Sequence, residues 1–302
     1  MSERSWIVGI DLRQRSDGAL RLARWFRRQL AASGHELELH GVHVIEREKL
    51  SYVRVREDVE AIGHMAQRRM DEAIEVADAR KDFASLELAY DLDAEDALAE
   101  RVQRGEAEAL VVGRRAKAGD DPVIALGRVA RRVLRMLPCP VIVTPPDLEV
   151  ESLGRGPIAV ATSCRDEDLP ALAFARTLAE PLGRELVLVH VVPMPADWGD
   201  YYLPTTSMAE VTDQLQAEGE AKLAAWAKDH GIEGVAGSVL QGNVVSRLSE
   251  FASERGCPLV VTGSRGLGGL ARLFVTSVGS ELAASAPCSV AVVPGHRSHD
   301  DD

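Results

Sequence analysis

The sequence predicts two tandem α/β domains, each a doubly wound five-stranded parallel sheet with strand order 3-2-1-4-5. Three observations predict it. The chain has 302 residues, which suits two ordinary domains better than one. Hydrophobic residues make up 46% and aromatics only 4%, so the cores are built from Ala, Val, Leu and Ile, the usual material of helices packed on parallel sheets. The chain also repeats itself, segment by segment, at an offset close to half its length.

The elements follow in order. Residues 6–11 (WIVGID) match 158–163 (IAVATS) as the first strand of each half. Residues 19–23 (ALRLA) match 171–175 (ALAFA), inside amphipathic helices predicted over 18–32 and 170–182. Residues 41–45 (GVHVI) match 188–192 (LVHVV), a second strand carrying a His-Val pair. A long, partly helical crossover leads to third strands over 86–90 and 235–240. A further helix leads to fourth strands, where 109–113 (ALVVG) match 259–263 (LVVTG). Fifth strands close each half, 137–143 (LPCPVIV) against 286–292 (APCSVAV). Strands alternating with helices give parallel sheets with right-handed crossovers. The predicted domains are 1–148 and 155–297, joined by a linker over 145–157 that holds Pro146, Gly154 and Gly156 among charged residues.

Charge and cysteine usage exclude several classes. Residues 1–150 carry 24 Lys and Arg against 27 Asp and Glu, and residues 151–302 carry 11 against 20, leaving −3 on the first half and −9 on the second. An acidic surface repels phosphate backbones, so no nucleic-acid partner is expected. Cys139, Cys164, Cys257 and Cys288 form no CxxC pair, which argues against a disulfide framework and a thiolate zinc site. Cys139 and Cys288, each after a proline before a strand, read as buried small hydrophobes. No apolar run approaches the roughly 20 residues that span a bilayer. No leader precedes the first strand, so a cytoplasmic location and no membrane partner are expected.

Ligands of a doubly wound sheet sit beyond the carboxyl ends of the strands at the switch point, here between strands 1 and 4. In the second half that place reads Gly263-Ser264-Arg265-Gly266-Leu267-Gly268-Gly269-Leu270, followed by Thr276, Ser277 and Val278. Glycines permit positive φ and let backbone N–H groups approach an anion without Cβ interference. Ser277 opens the next helix, whose free N–H groups and dipole favour phosphate. The competing reading is an unliganded loop, since glycines at element ends are common.

These residues resemble the universal stress protein family, in its tandem form, over nearly the whole chain. The family pattern is Gly, two residues, Gly, nine residues, Gly, then Ser or Thr. Here that gives Gly263, Gly266, Thr276 and Ser277. The resemblance implies that the residue ending strand 1 and the residue after the strand-2 His contact the nucleotide, which are Ser163 and Val191. The expected nucleotide site is therefore Ser163, Val191, Gly263, Arg265, Gly266, Thr276, Ser277 and Val278. The implied cofactor is ATP or a related adenine nucleotide, with Mg²⁺ as its accompanying ion. The resemblance also implies that the halves pack as a pseudo-dimer and self-associate through last-strand edges, 141–143 and 290–293, because an exposed apolar edge is a liability that pairing removes.

Two departures mark the second half: Thr276 stands where the third Gly is expected, and Ser163 where an Asp is expected. The first half departs in the opposite way. It keeps Asp11 and Val44 but has Ala116 for the second Gly, one extra residue of spacing, and Arg128 in place of the hydroxyl. It reads as a degenerate, structural copy.

The remaining candidates have plainer readings. Arg114, Arg115, Lys117, Arg128, Arg131, Arg132 and Arg135 read as the solvated face of a helix whose apolar side is Ala130, Val133, Leu134 and Leu137. His43 and His190 read as hydrogen-bonded core histidines. His296 and His299 lie in a charged tail. Trp198, Tyr201 and Tyr202 sit in the second crossover and could cover a ligand or a partner. Asp166, Glu167 and Asp168 read as a favourable helix start. No catalytic triad, paired carboxylates or Walker A sequence stands out, and the loop offers no nearby lysine and no evident carboxylate. The function expected is a nucleotide-binding stress or signalling module with little turnover. A slow ATPase and a scaffold without nucleotide are the alternatives.

Overall fold

The computed structural model describes residues 4–12, 16–51, 56–105, 107–115, 126–194, 205–232, 234–264 and 278–295. The chain divides into two units, Met1–Leu153 and Gly154–Asp302, a boundary that falls inside the segment predicted as a linker.

The first unit runs β1 (Arg4–Gly9), α1 (Asp17–Ala32), β2 (Leu37–Glu46), α2 (Arg47–Leu50), α3 (Arg56–Val76), β3 (Ser85–Asp91), α4 (Ala94–Arg104), β4 (Ala109–Gly113), α5 (Arg128–Met136) and β5 (Val141–Thr144). All its strand pairings are parallel, in the order β3-β2-β1-β4-β5. The second unit runs β6 (Ile158–Thr162), α6 (Leu169–Ala179), β7 (Leu186–Val192), α7 (Thr205–Asp229), β8 (Ala236–Gln241), α8 (Val244–Glu254), β9 (Leu259–Gly263), α9 (Val278–Ser285) and β10 (Ser289–Val293). Its order is β8-β7-β6-β9-β10, again all parallel. Each unit thus has the predicted doubly wound order.

The local sequence explains the elements. β6 and β5 are apolar runs with every residue buried, as strands covered on both faces must be. α1 buries Ala19, Leu22, Ala23, Phe26 and Leu30 at helical spacing, and Trp6 of β1 meets Phe26 edge-on at 5.1 Å. α8 starts where the Asn243 side chain accepts a hydrogen bond from the Ser246 backbone N–H at 3.0 Å, satisfying one helix-end donor. α5 stops at Leu137, which takes a left-handed φ of 45° just before Pro138.

The predicted linker is more ordered than its composition suggests. A 3₁₀ turn covers Val150–Ser152, and Leu148 and Leu153 are buried. Gly156 N–H donates to the Gly256 carbonyl at 3.2 Å, and Arg184 Nη1 donates to the carbonyls of Gly154 at 2.7 Å and Gly156 at 3.1 Å. Among the described residues, no helix is long and apolar enough to cross a membrane.

Candidate nucleotide site

The switch point of the second unit lies between β6 and β9. In the β6–β7 pairing Thr162 stands opposite His190, so Ser163 and Val191 are level one step further on. In the β6–β9 pairing Ala161 stands opposite Thr262, which brings Gly263 level with Thr162. Three of the predicted residues, Ser163, Val191 and Gly263, therefore share one end of the sheet. α9 begins at Val278. Its Gly279 lies so close to Thr262 and Val292 that an added Cβ would meet both at 3.3 Å, so the first turn of the helix rests on β9 and β10. Arg265, Gly266, Thr276 and Ser277 lie outside the described residues, as do Ala116, Lys117, Trp198, Tyr201, Tyr202, His296 and His299.

The hydroxyl of Ser163 is already engaged. Asp168, in the 3₁₀ turn Asp166–Asp168, folds back so that its Oδ2 accepts from Ser163 N–H at 2.7 Å, Ser163 Oγ at 2.9 Å and Thr162 Oγ1 at 3.0 Å. Asp168 therefore anchors the β6–α6 turn rather than serving only as a favourable helix start. Its Oδ1 points at the next strand, 3.2 Å from where a Cβ on Gly263 would sit. Cys164 closes the turn in the left-handed region at φ 60°, with its N–H donating to Thr162 Oγ1 at 2.9 Å. Such strain in a non-glycine residue is common where a backbone is held for a ligand.

A lysine is present as well. Lys222 of α7 donates from Nζ to the Ser163 carbonyl at 2.9 Å. The sequence reading, that the loop offers no nearby lysine and no evident carboxylate for a metal, concerns the loop alone; Lys222 and Asp168 stand at Ser163, directly after β6. Lys222 is 59 residues from Ser163 and belongs to α7, so no local spacing announces it.

His190 behaves as predicted. It is buried, and its Nδ1 lies 2.9 Å from the Thr162 carbonyl. A carbonyl only accepts, so Nδ1 carries the proton. Burial holds the imidazole below its ordinary 6.5, against the opposing hydrogen bond to Thr162, and the Lys222 charge adds to the depression. The folded protein therefore keeps His190 neutral where the unfolded chain would take a proton. That contribution to stability is complete above about 6.5 and is lost as pH falls from there toward the depressed folded value. One such group contributes a slope of at most about 1.4 kcal/mol per pH unit. His190→Asn, which keeps a donor for Thr162 but cannot titrate, is expected to flatten the second unit's acid-side stability profile by that one-proton slope. Urea titrations between neutral and mildly acid pH check it, and a variant profile as steep as the parent's would refute it.

The first unit places the equivalent residues around a cavity of about 390 Å³ lined by Asp11, His43, Val44, Gly113, Gly127 and Arg128, among others. His43 Nδ1 meets the Ile10 carbonyl at 2.7 Å, the counterpart of the His190 contact. The end of the cavity at α5 differs. Arg128, first residue of α5, pairs with Glu46, with Asp93 at 3.1 Å and with Glu95 at 3.6 Å. Arg132 pairs with Glu95 and with Asp93 at 3.5 Å. Arg128 and Arg132 lie on the solvated helix face that the spacing predicts, 47% and 49% exposed, with Ala130, Val133, Leu134 and Leu137 buried on the other side, and from that face they also neutralise the side chains of Glu46 and Glu95, which are 8% and 2% exposed. The three carboxylates offer oxygens within 4.8 Å of one another. Two guanidinium groups already supply the positive charge that a divalent ion would bring, so this cluster does not fit the Mg²⁺ expected beside ATP. Among the cysteines, Cys139 and Cys257 are buried, with thiols pushed by that burial to about 12 and about 11, whereas Cys288 is only half-buried, contrary to its sequence reading.

The model of the universal stress protein family matches residues 4–145 and again 154–294. The chain belongs to the universal stress protein family. Universal stress protein YxiE of Bacillus subtilis (strain 168) is 30% identical over 142 residues, 44% of this chain and 95% of that relative. Universal stress protein MJ0531 of Methanocaldococcus jannaschii is 28% identical over 140 residues, 45% of this chain and 80% of its own length. Each relative therefore corresponds to one half of this chain. Among solved structures, a universal stress protein from Archaeoglobus fulgidus superposes over 97% of this chain and 99% of its own, with a TM-score of 0.68 at 18% identity. A putative universal stress protein from Pseudomonas aeruginosa covers 97% and 94%, with a TM-score of 0.60 at 17% identity. At such identities the likeness shows the fold, and the tandem arrangement of two family repeats agrees with it.

Proposed function

We propose that the second unit of this universal stress protein binds ATP or a related adenine nucleotide, with little turnover, and that the first unit binds none. The observation that carries the reading is the convergence of Ser163, Val191 and Gly263 at one switch point, with the start of α9 resting on the neighbouring strands; the glycine-rich stretch follows Gly263 in the sequence. Free N–H groups at a helix start favour phosphate, and the Ser163 hydroxyl, oriented by Asp168, is exposed toward the same end. Lys222 adds the lysine that the loop itself lacks. In the first unit the corresponding place holds Arg128 paired with buried acidic partners, which sets carboxylates where a polyanion would have to sit.

Turnover stays low in this reading because the charged groups are committed. Asp168 Oδ2 already accepts three short hydrogen bonds, and Lys222 is bound to a carbonyl. In-line phosphoryl transfer needs the γ-phosphate held by a free lysine or arginine clamp, usually with a metal, and an oriented water, and ground-state cradling alone gives binding without rate. Calorimetry with ATP on the full chain tests the proposal. One site per chain is expected; Gly266→Val should abolish binding, Lys222→Glu should weaken it at least tenfold, and Ala116→Asp should leave it unaltered. Two equivalent sites would refute the assignment. No binding at millimolar ATP would move the protein to the scaffold class. Phosphate release well above the Gly266→Val background, scaling with enzyme, would move it to the slow ATPase class.

A further inference from the structure

A second concavity of about 550 Å³ lies in the first unit, beside the 390 Å³ cavity and sharing Leu12, His43, Val44, Glu46 and Arg69 with it. One wall is a single face of α3, since Asp58, Ala61, Ile62, Met65, Ala66 and Arg69 follow helical spacing. The other wall is Ile45 of β2 and Leu50 of α2. Its size falls in the range of small-molecule sites, roughly 300–1,000 Å³. It is mainly apolar yet open to water, with Met65 47% exposed. An apolar stripe left exposed on a helix that otherwise packs on its sheet is a feature that usually marks binding.

The charges around it are asymmetric. Asp58 lies at one end of the α3 face and Arg69 at the other, about 16 Å apart along the helix. Arg69 stands at the junction with the neighbouring cavity, whose rim carries Arg115. Neither arginine forms an ion pair among the described residues, and both are exposed. Further in, Arg128 is committed to Glu46, Asp93 and Glu95. The inner end thus rejects a polyanion, whereas the junction attracts a single negative charge.

We propose that the first unit binds an amphipathic monoanion, its apolar chain lying along the α3 face at Ile62 and Met65 and its anionic head at Arg69 and Arg115. The site is separate from the nucleotide site proposed for the second unit and does not depend on it. It gives the copy without an intact glycine loop a ligand chemistry of its own.

Decanoate, below its micellar concentration, is the probe, with decyltrimethylammonium as the chain-matched cation. Calorimetry on the full chain is expected to show one decanoate per chain, with the cation at least tenfold weaker. Arg69→Glu and Met65→Glu, both at exposed positions where folding is not at stake, should each weaken decanoate at least tenfold. Lys228→Glu in the second unit should not, and saturating ATP should leave decanoate affinity unchanged. The methyl resonance of Met65 should shift on titration. Equal affinity for the two amphiphiles, unaltered binding in both the Arg69 and Met65 variants, or no binding at millimolar decanoate would each overturn the proposal. Competition by ATP would place the amphiphile in the nucleotide site and overturn it as well.

Discussion

Arg128→Ala is expected to destabilise the first unit by about 3 kcal/mol, because removing one partner of a buried ion pair strands the other. Arg128 offsets two buried carboxylates here, Glu46 and Glu95, whose side chains are 8% and 2% exposed. Arg128 is itself 47% exposed and Arg132 still reaches Glu95, which keeps the figure at the lower end of the range for such breaks. The loss should be local. Hydrogen exchange of β1 and β4 should accelerate, whereas β6 and β9 should keep the parent's protection. The triple replacement Arg128→Met, Glu46→Leu and Glu95→Leu should recover most of the loss, since apolar groups of similar volume can replace a buried ion network. A single variant as stable as the parent would show that the ion pairs of this exposed arginine contribute nothing measurable. The triple variant guards against the opposite error, that any change at α5 unfolds the unit.

Gly156→Ala is expected to cost about 3 kcal/mol in the second unit, at the upper end for overpacking. An added Cβ would lie 1.9 Å from the Arg255 carbonyl oxygen and 2.6 Å from that of Gly256. Those are backbone atoms, held by the Gly156–Gly256 hydrogen bond and by Arg184, so the strain cannot be relieved by a rotamer change. Gly127→Ala is the control, because there the nearest atom is the Arg115 Cγ at 4.0 Å. Urea denaturation of the two variants compares them directly. Equal midpoints would show that the segment before β6 is a free linker, as its Pro and Gly content suggests, rather than a packed part of the second unit.

Much of the fold is legible in the linear sequence. The strands are short apolar runs, and the helices announce themselves by spacing. A tandem repeat supplies each signal twice: residues 109–113 and 259–263 became β4 and β9 with the predicted bounds. The core histidines were legible for the same reason, since a polar residue inside a buried strand must find a partner nearby. The arginines of α5 were not. Their spacing describes an amphipathic helix correctly, but periodicity says only which face turns outward. It does not say that two acidic residues from β2 and α4 stand under that face.

By itself the sequence determined the elements, their parallel order and the strand, β9, that the glycine-rich segment follows. These rest on local periodicity and on the non-directional burial of apolar surface, both of which can be read along the chain. Only the tertiary structure decided which charges meet. Asp168 reaches Ser163 because a 3₁₀ turn reverses the chain, Lys222 reaches the same residue from α7, and Arg128 reaches Glu46 across the first unit's switch point. Ion pairs and hydrogen bonds act over a few ångströms and depend on direction. Their partners are therefore chosen by how elements distant in sequence are laid side by side, and no spacing along the chain encodes that.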